Sequence, residues 1–459
     1  MAKNNTDAVS TGNEKSLGVH SEILIGLLLF GLFFGAGNII FPVKMGQEAA
    51  KNFIASSFGF IITAAGIPIL GVISFALSKK NKLTEYAGVA GPFFKMFFPL
   101  ALYLTIGPFF AIPRTATVAF EVGISPFVGD NFRLPLFIYS LIFFMLVWIF
   151  SSKPNNIMNV VGKVLTPLFL ILISVLLIAV FINPAYPFDL NAPKAVYLKK
   201  PIFQGILDGY NTMDGLASLA FAIIIIESVK QMNVKSHKLI AKETAKSGMI
   251  TIFLLAVIYA ALVYLGACTG KLAAPEDNGG LMLSYVSHHY FGSTGQILLA
   301  FIIGVACLKT AIGLVVAIGT AFASIFEKTE YKLWKNIFIL VSFVIANFGL
   351  NTIISWSIPV LVFLYPLAIT LMILWILYSV LNFNQKTFKL TILLTSIPAF
   401  FDFIKTLPLS ENADAFKTSA DSFAKICFPM YDLGLGWMIP AILGIIIGIF
   451  VFGKEKNLA

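Results

Sequence analysis

The sequence predicts an all-α polytopic membrane protein of about twelve transmembrane helices. Three observations carry that prediction. Of 459 residues, 58% are hydrophobic; only 12% are charged; and the apolar residues fall in long unbroken runs. A soluble domain must cover its exterior with charged and polar groups, and this chain has too few. An apolar helix needs about 20 residues to cross the hydrocarbon core. Only helices or closed barrels satisfy every backbone group in lipid, and unbroken runs select helices over the alternating segments of a barrel.

The runs lie near 22–43, 53–78, 92–121, 134–151, 156–182 and 202–229, then 244–268, 296–326, 332–350, 353–381, 387–406 and 434–453. An even number places both termini on one side. One set of loops carries Lys79, Lys80, Lys82, Lys153, Lys230, Lys235, Lys238, Lys242 and Lys246, and later Lys328, Lys332, Lys335, Lys386, Lys454 and Lys456. The opposite set is mixed with acids, including Glu121, Asp130, Glu276, Asp277, Glu411, Asp414 and Asp421. Lysine excess marks the cytoplasmic side, so both termini are expected inside. The net charge of +10 is thus spread over short loops as a topology signal, which argues against nucleic acid as a partner.

The connections 183–201, 270–295 and 407–433 are then external, and Leu281–Tyr290 is expected as a short re-entrant or surface helix. Residues 1–20 are polar and the first apolar run begins near Glu22, so no cleavable signal peptide is expected. Cys268, Cys307 and Cys427 lack CxxC spacing and read as small packing residues. His288-His289 lacks a helical ligand pattern and reads as loop.

Two runs are interrupted where lipid gives no reward for it. In the first, Gly35-Ala36-Gly37-Asn38 falls near the midpoint, placing glycines and a polar amide inside the membrane. Gly31 and Gly35 alone would serve close helix packing. Gly37-Asn38 is not needed for that, and an unwound segment with amides for an anion and carbonyls for a cation is the alternative. In the sixth run, Asp208, Asn211, Asp214, Gly215 and Ser218 intrude. An ionisable residue at membrane depth is a functional signal. Asp214-Gly215 marks a second break.

Runs one and six are five apart, which predicts two inverted halves of five helices, each opening with a broken helix. The halves span 22–182 and 202–381; residues 387–453 add two peripheral helices, and 1–21 and 454–459 are cytoplasmic tails. Pro113-Arg114-Thr115-Ala116 in run three and Leu308-Lys309-Thr310-Ala311 in run eight echo one another at equivalent places.

GAGNIIFP (35–42), IPRTATVAFEVGI (112–124), GYNTMDGLASLAF (209–221), ACLKTAIGL (306–314) and Leu364-Tyr365-Pro366 resemble the bacterial branched-chain amino acid carriers of the LIVCS family. The likeness runs from about residue 22 to 453. It implies the LeuT-type five-plus-five fold of the amino acid–polyamine–cation group. It implies import of leucine, isoleucine and valine across the bacterial inner membrane, with no cofactor and no obligate protein partner, driven by Na+ or H+ and with sodium favoured. It further implies that Ala36, Gly37 and Asn38 hold the substrate, with Asp214, Gly215, Ser218 and Phe221 on its other side, and that Gly31, Phe34, Asn38 and Thr310 form a cation site for sodium, the one metal expected. Phe109 and Phe110 are further candidates for the apolar cup, against ordinary packing.

Lys163 and Lys309 complicate the ion. Each is a candidate cation surrogate or proton carrier; Lys163 also suits a snorkelling lysine. Arg114 and Glu121, spaced i,i+7, share a face with Thr117 and read either as a gate closed by a salt bridge or as a structural pair. A sodium-independent carrier or exchanger stays open as an alternative. A membrane enzyme is distant, for the chain lacks DxxxD clusters and catalytic histidine pairs, and a channel would call for a polar stripe or filter motif.

Overall fold

The computed structural model describes residues 17–128, 131–152, 166–234, 236–409 and 414–455. Helix occupies each of the twelve runs as far as they are described, and no named strand occurs among the described residues. Among the described residues seven continuous helical stretches are long and apolar enough to cross a bilayer, and a bent pair makes an eighth. One stretch, Ala36–Ser78, carries the end of the first span and all of the second, turning at Ala50 with φ 44°.

The first span is two helices, Val19–Phe33 and Ala36–Ala49, parted at Phe34-Gly35. The sixth is Pro201–Tyr210 and Asp214–Lys230, bent by 46° across residues 211–213. Met213 sits there in the left-handed region (φ 64°), a conformation that costs a non-glycine residue roughly 1–2 kcal/mol and ends a helix. The third span, expected as continuous, is also broken. Pro92–Leu104 gives way to a wide turn, Thr105–Phe109, before Ala111–Gly123 resumes. Pro108 is the cause: it lacks an N–H and pushes Gly107 out of helical geometry (φ −106°, ψ −126°).

The expected surface helix begins at Gly279, where the Asn278 side chain accepts the N–H groups of Gly280 and Leu281 at 3.0 and 3.1 Å. It runs to Gly292, whose φ of 61° turns the chain into the eighth span, ending at Ile325. His288 and His289 are exposed on it. The stretch 407–433, expected as a connection, contains the helix Asp414–Cys427. Burial divides the spans: in the tenth (Leu350–Leu381) 67% of the most apolar window is inside the protein, in the fourth (Arg133–Phe150) 28%, so the tenth is core and the fourth faces lipid.

Both broken helices lie on long helices of the opposite half. The first span crosses the seventh (His237–Ala267), and the sixth crosses the second, as an inverted repeat requires. Glycines make these crossings possible. A Cβ on Gly46 would strike the Val263 carbonyl and one on Gly266 the Val43 carbonyl; Gly59 and Ile202, and Gly205 and Ser56, repeat the arrangement. Gly26 stands 2.9 Å, at its missing Cβ, from the Ser247 carbonyl oxygen. Small residues let helix backbones approach where lipid supplies no hydrophobic drive. At one end the contact is ionic: Lys246 bridges Glu22 at 3.1 Å and the fully buried Glu243 at 3.2 Å.

Gly266→Ala should therefore lower the melting temperature of purified protein, since overpacking a tight contact costs about 1–3 kcal/mol. Gly304→Ala, where the nearest atom is Tyr139 Oη at 3.8 Å, should leave it unchanged or slightly raised. Equal melting of both variants would remove the close-crossing argument.

Candidate functional site

The two breaks face each other across a cavity of about 120 Å³. Gly35 is extended (φ −124°, ψ −166°), so the second half-helix starts afresh at Ala36. Its first N–H groups have no intrahelical partner, and Ala36 and Gly37, which carry them, line the cavity. Asn38, one position further, is 2% exposed. Its Oδ1 accepts the Gly35 N–H at 3.0 Å, while its Nδ2 donates to the Asp214 carboxylate and to Tyr259 Oη, the latter at 2.5 Å. One amide side chain thus ties the two broken helices to the seventh span.

Asp214 opens the second half of the sixth span, where the helix N-terminus favours a negative charge. It is 4% exposed and lines the cavity. Phe221, two turns on, lines it too. Gly215 and Ser218 do not. The Gly215 N–H donates to Tyr365 Oη at 3.2 Å, and Ser218 Oγ donates to the Gly215 carbonyl at 2.7 Å while packing against Gly71. Thr212, Met213 and Ala217 line the cavity beside Asp214 and Phe221, because the helix presents its 214–217–221 face. Phe109 and Phe110 also lie off the cavity, carried away by the Gly107-Pro108 turn; Phe109 is 42% exposed. Ile106, Ala111 and Leu314 supply apolar lining instead.

Gly31, Lys309 and Thr310 also line the cavity. Thr310 packs against Gly35 (3.4 Å from its missing Cβ) and its hydroxyl donates to the Ala306 carbonyl at 3.0 Å. Lys309 Nζ reaches the Gly31 carbonyl at 3.5 Å. The Phe34 ring turns aside to stack on Phe30 and Tyr259, with centroids 5.1 and 6.3 Å apart. Lys163 lies outside the described residues.

Arg114 and Glu121 do not form an ion pair with each other, which corrects the expected bridge. Arg114 Nη1 donates to the Asn211 carbonyl at 2.7 Å, an acceptor exposed by the break in the sixth span, whereas Glu121 Oε2 is buried with no hydrogen-bond partner among the described residues. Further along the same helices lies a second cavity of about 300 Å³, bounded by Phe41, Lys44, Glu48, Asp208, Asn211 and Asp277 among others. Tyr259, Tyr365 and Met213 are site residues that sequence reasoning missed. The tyrosines come from distant spans, Tyr365 within the quoted Leu364-Tyr365-Pro366 but with no role attached to it; Met213 lay next to a break whose register was open.

Residues 19–455 match the family described as branched-chain amino acid transport protein. The chain belongs to that family. Branched-chain amino acid permease BrnQ of Lactobacillus delbrueckii subsp. lactis is 42% identical over 425 residues, covering 92% of this chain and 94% of that protein. Branched-chain amino acid permease BraB of Bacillus subtilis is 40% identical over 448 residues, covering 96% and 98%. As a member of this family the chain is a transporter and not an enzyme.

Among solved structures, MhsT in complex with L-phenylalanine aligns with a TM-score of 0.56 at 17% identity, covering 95% of this chain and all (100%) of that one. Mhp1, a nucleobase-cation-symport-1 family transporter, aligns with a TM-score of 0.57 at 12% identity, covering 97% and 95%. At such identities the likeness establishes the fold, the LeuT type.

The close fit at the first break yields a prediction for this transporter. A Cβ on Gly37 would lie 2.7 Å from Arg114 Nη2 and 3.3 Å from the Phe41 ring. Gly37→Leu should abolish leucine uptake while the protein still inserts and purifies as a monodisperse species. Normal uptake by that variant would remove the broken first helix from the transport site.

Proposed function

We propose that the chain imports leucine, isoleucine and valine together with a cation, by alternating access across the bacterial inner membrane. The observation that carries this reading is the joining of both helix breaks at one cavity lined by both polar and apolar groups. The Ala36 and Gly37 amides suit a carboxylate, the Asp214 carboxylate suits an ammonium, and Ile106, Ala217, Phe221 and Leu314 suit a branched aliphatic chain. Asn38 would orient both poles through its contacts with Asp214 and Gly35. On this reading 22–182 and 202–381 are the rocking repeats, 387–453 is peripheral, and the termini lie in the cytoplasm on the lysine-rich side. Lipid and the amino acid are the partners it requires.

Sodium is the ion that the family resemblance implies, and the oxygens of Gly31 and Thr310 are the hard ligands it would use. A second reading is favoured by one contact: the Lys309 ammonium, 3.5 Å from the Gly31 carbonyl, stands in the same place. It would make the carrier proton-coupled or independent of sodium.

Radiolabelled leucine uptake into proteoliposomes decides between them, with a sodium gradient imposed in one set and a pH gradient in another. Accumulation driven by sodium, and lost in Thr310→Val, is expected on the first reading. Accumulation driven by protons alone, and lost in Lys309→Ala, is expected on the second. Absence of leucine uptake under either gradient would overturn the substrate assignment.

A further inference from the structure

Arg114 is not explained by the reading above. It is 4% exposed, projects from the Ala111–Gly123 half of the third span, and lines the cavity. Its guanidinium donates to the Asn211 carbonyl at 2.7 Å and to the Thr212 carbonyl at 3.5 Å, and lies 5.0 Å from the Phe41 ring centroid. It also presses on Gly37: Nη2 would be 2.7 Å from a Cβ placed there.

Two positive features therefore meet. One is the first turn of the half-helix, with its unpaired N–H groups. The other is a fixed cation. Among the described residues Arg114 has no carboxylate within ion-pair distance; Asp214 on the facing helix attracts it from further off and is itself engaged by Asn38 and Tyr259. A buried guanidinium beside the positive end of a helix, at membrane depth, is costly unless an anion joins it. Neutral carbonyls occupy some of its donors, and a planar fork has further N–H groups to offer.

We infer that Arg114 is a substrate ligand: it and the amides of Ala36 and Gly37 clasp the amino acid carboxylate from two sides, while Asp214 takes the ammonium. This inference rests on the cavity being the substrate site and names a binding residue beyond the two broken helices. The same guanidinium also touches residues of the second cavity. Arg114 and Thr212 line the smaller cavity, whereas Phe41 and Asn211, which Arg114 touches, line the larger. A carboxylate that draws Arg114 into place steadies its bond to the Asn211 carbonyl, so recognition of the substrate and contact with the second cavity fall to one side chain.

The test is equilibrium binding of radiolabelled leucine to purified protein in nanodiscs, with unlabelled leucine and leucinamide as competitors. Leucinamide keeps the ammonium and the isobutyl group and lacks the carboxylate. Wild-type protein should prefer leucine by about tenfold to hundredfold, the span expected for a charge-assisted hydrogen bond. Arg114→Gln should lose leucine affinity by a similar factor and leave leucinamide binding within about twofold, so that the preference collapses. Arg114→Lys, which keeps the charge without the fork, should fall between, and it carries the same comparison if the glutamine variant is not monodisperse. Retained preference in the variants, or equal loss of both ligands, would reduce Arg114 to a structural residue and overturn the inference. Failure of wild-type protein to bind leucine at all would instead remove the substrate reading on which the inference stands.

Discussion

The interaction on which the site depends is the side-chain amide of Asn38. Breaking two helices inside a membrane leaves backbone groups without partners in a medium that offers no water. Asn38 accepts the Gly35 N–H at the first break, donates to Asp214 at the second, and donates to Tyr259 of the seventh span. A side chain with both a donor and an acceptor end is required for this, which aspartate or leucine at position 38 could not supply. The breaks are thereby held open and facing one another, and the remaining amides of Ala36 and Gly37 are left to the cavity.

Around that hub the packing is set by close backbone approach. Lipid gives helices no hydrophobic reason to associate, so contact area and small residues decide. Glycines sit at the crossings of the first span with the seventh and of the sixth with the second. Each long partner helix belongs to the half opposite to the broken helix it carries. On the proposed reading, a rigid movement of one half against the other exposes the cavity to the two sides in turn.

Much of this was legible from residue order, and the reasons are physical. Gly35-Ala36-Gly37-Asn38 and Asp214 stood out because polar and helix-weakening residues inside an apolar run are costly and so carry information. The positions of the described spans followed from the apolar runs. What remained hidden was rotation and reach. Asp214, Gly215 and Ser218 are neighbours in sequence, yet the helix presents Asp214, Ala217 and Phe221 to the cavity and turns Gly215 and Ser218 towards Tyr365 and Gly71. In a helix apolar all round there is no amphipathic stripe to set that rotation. Arg114 and Glu121 share a helix face by spacing, but the break in the sixth span offered Arg114 a nearer acceptor than Glu121. The Gly107-Pro108 turn was visible as a dipeptide, and its consequence, the removal of Phe109 and Phe110 from the site, was not.

On the proposed reading, ion coupling becomes a competition for one carbonyl. The first half-helix ends at Phe33, so carbonyls of its last turn, Gly31 among them, lack intrahelical acceptor duties and attract a cation. Lys309 supplies a tethered one and Thr310 beside it supplies an oxygen for a free one. An ammonium and a sodium ion on the same carbonyl repel each other strongly at low dielectric, so occupancy by one expels the other. The position of a single lysine side chain, towards Gly31 or away from it, is therefore what separates the sodium reading from the lysine reading.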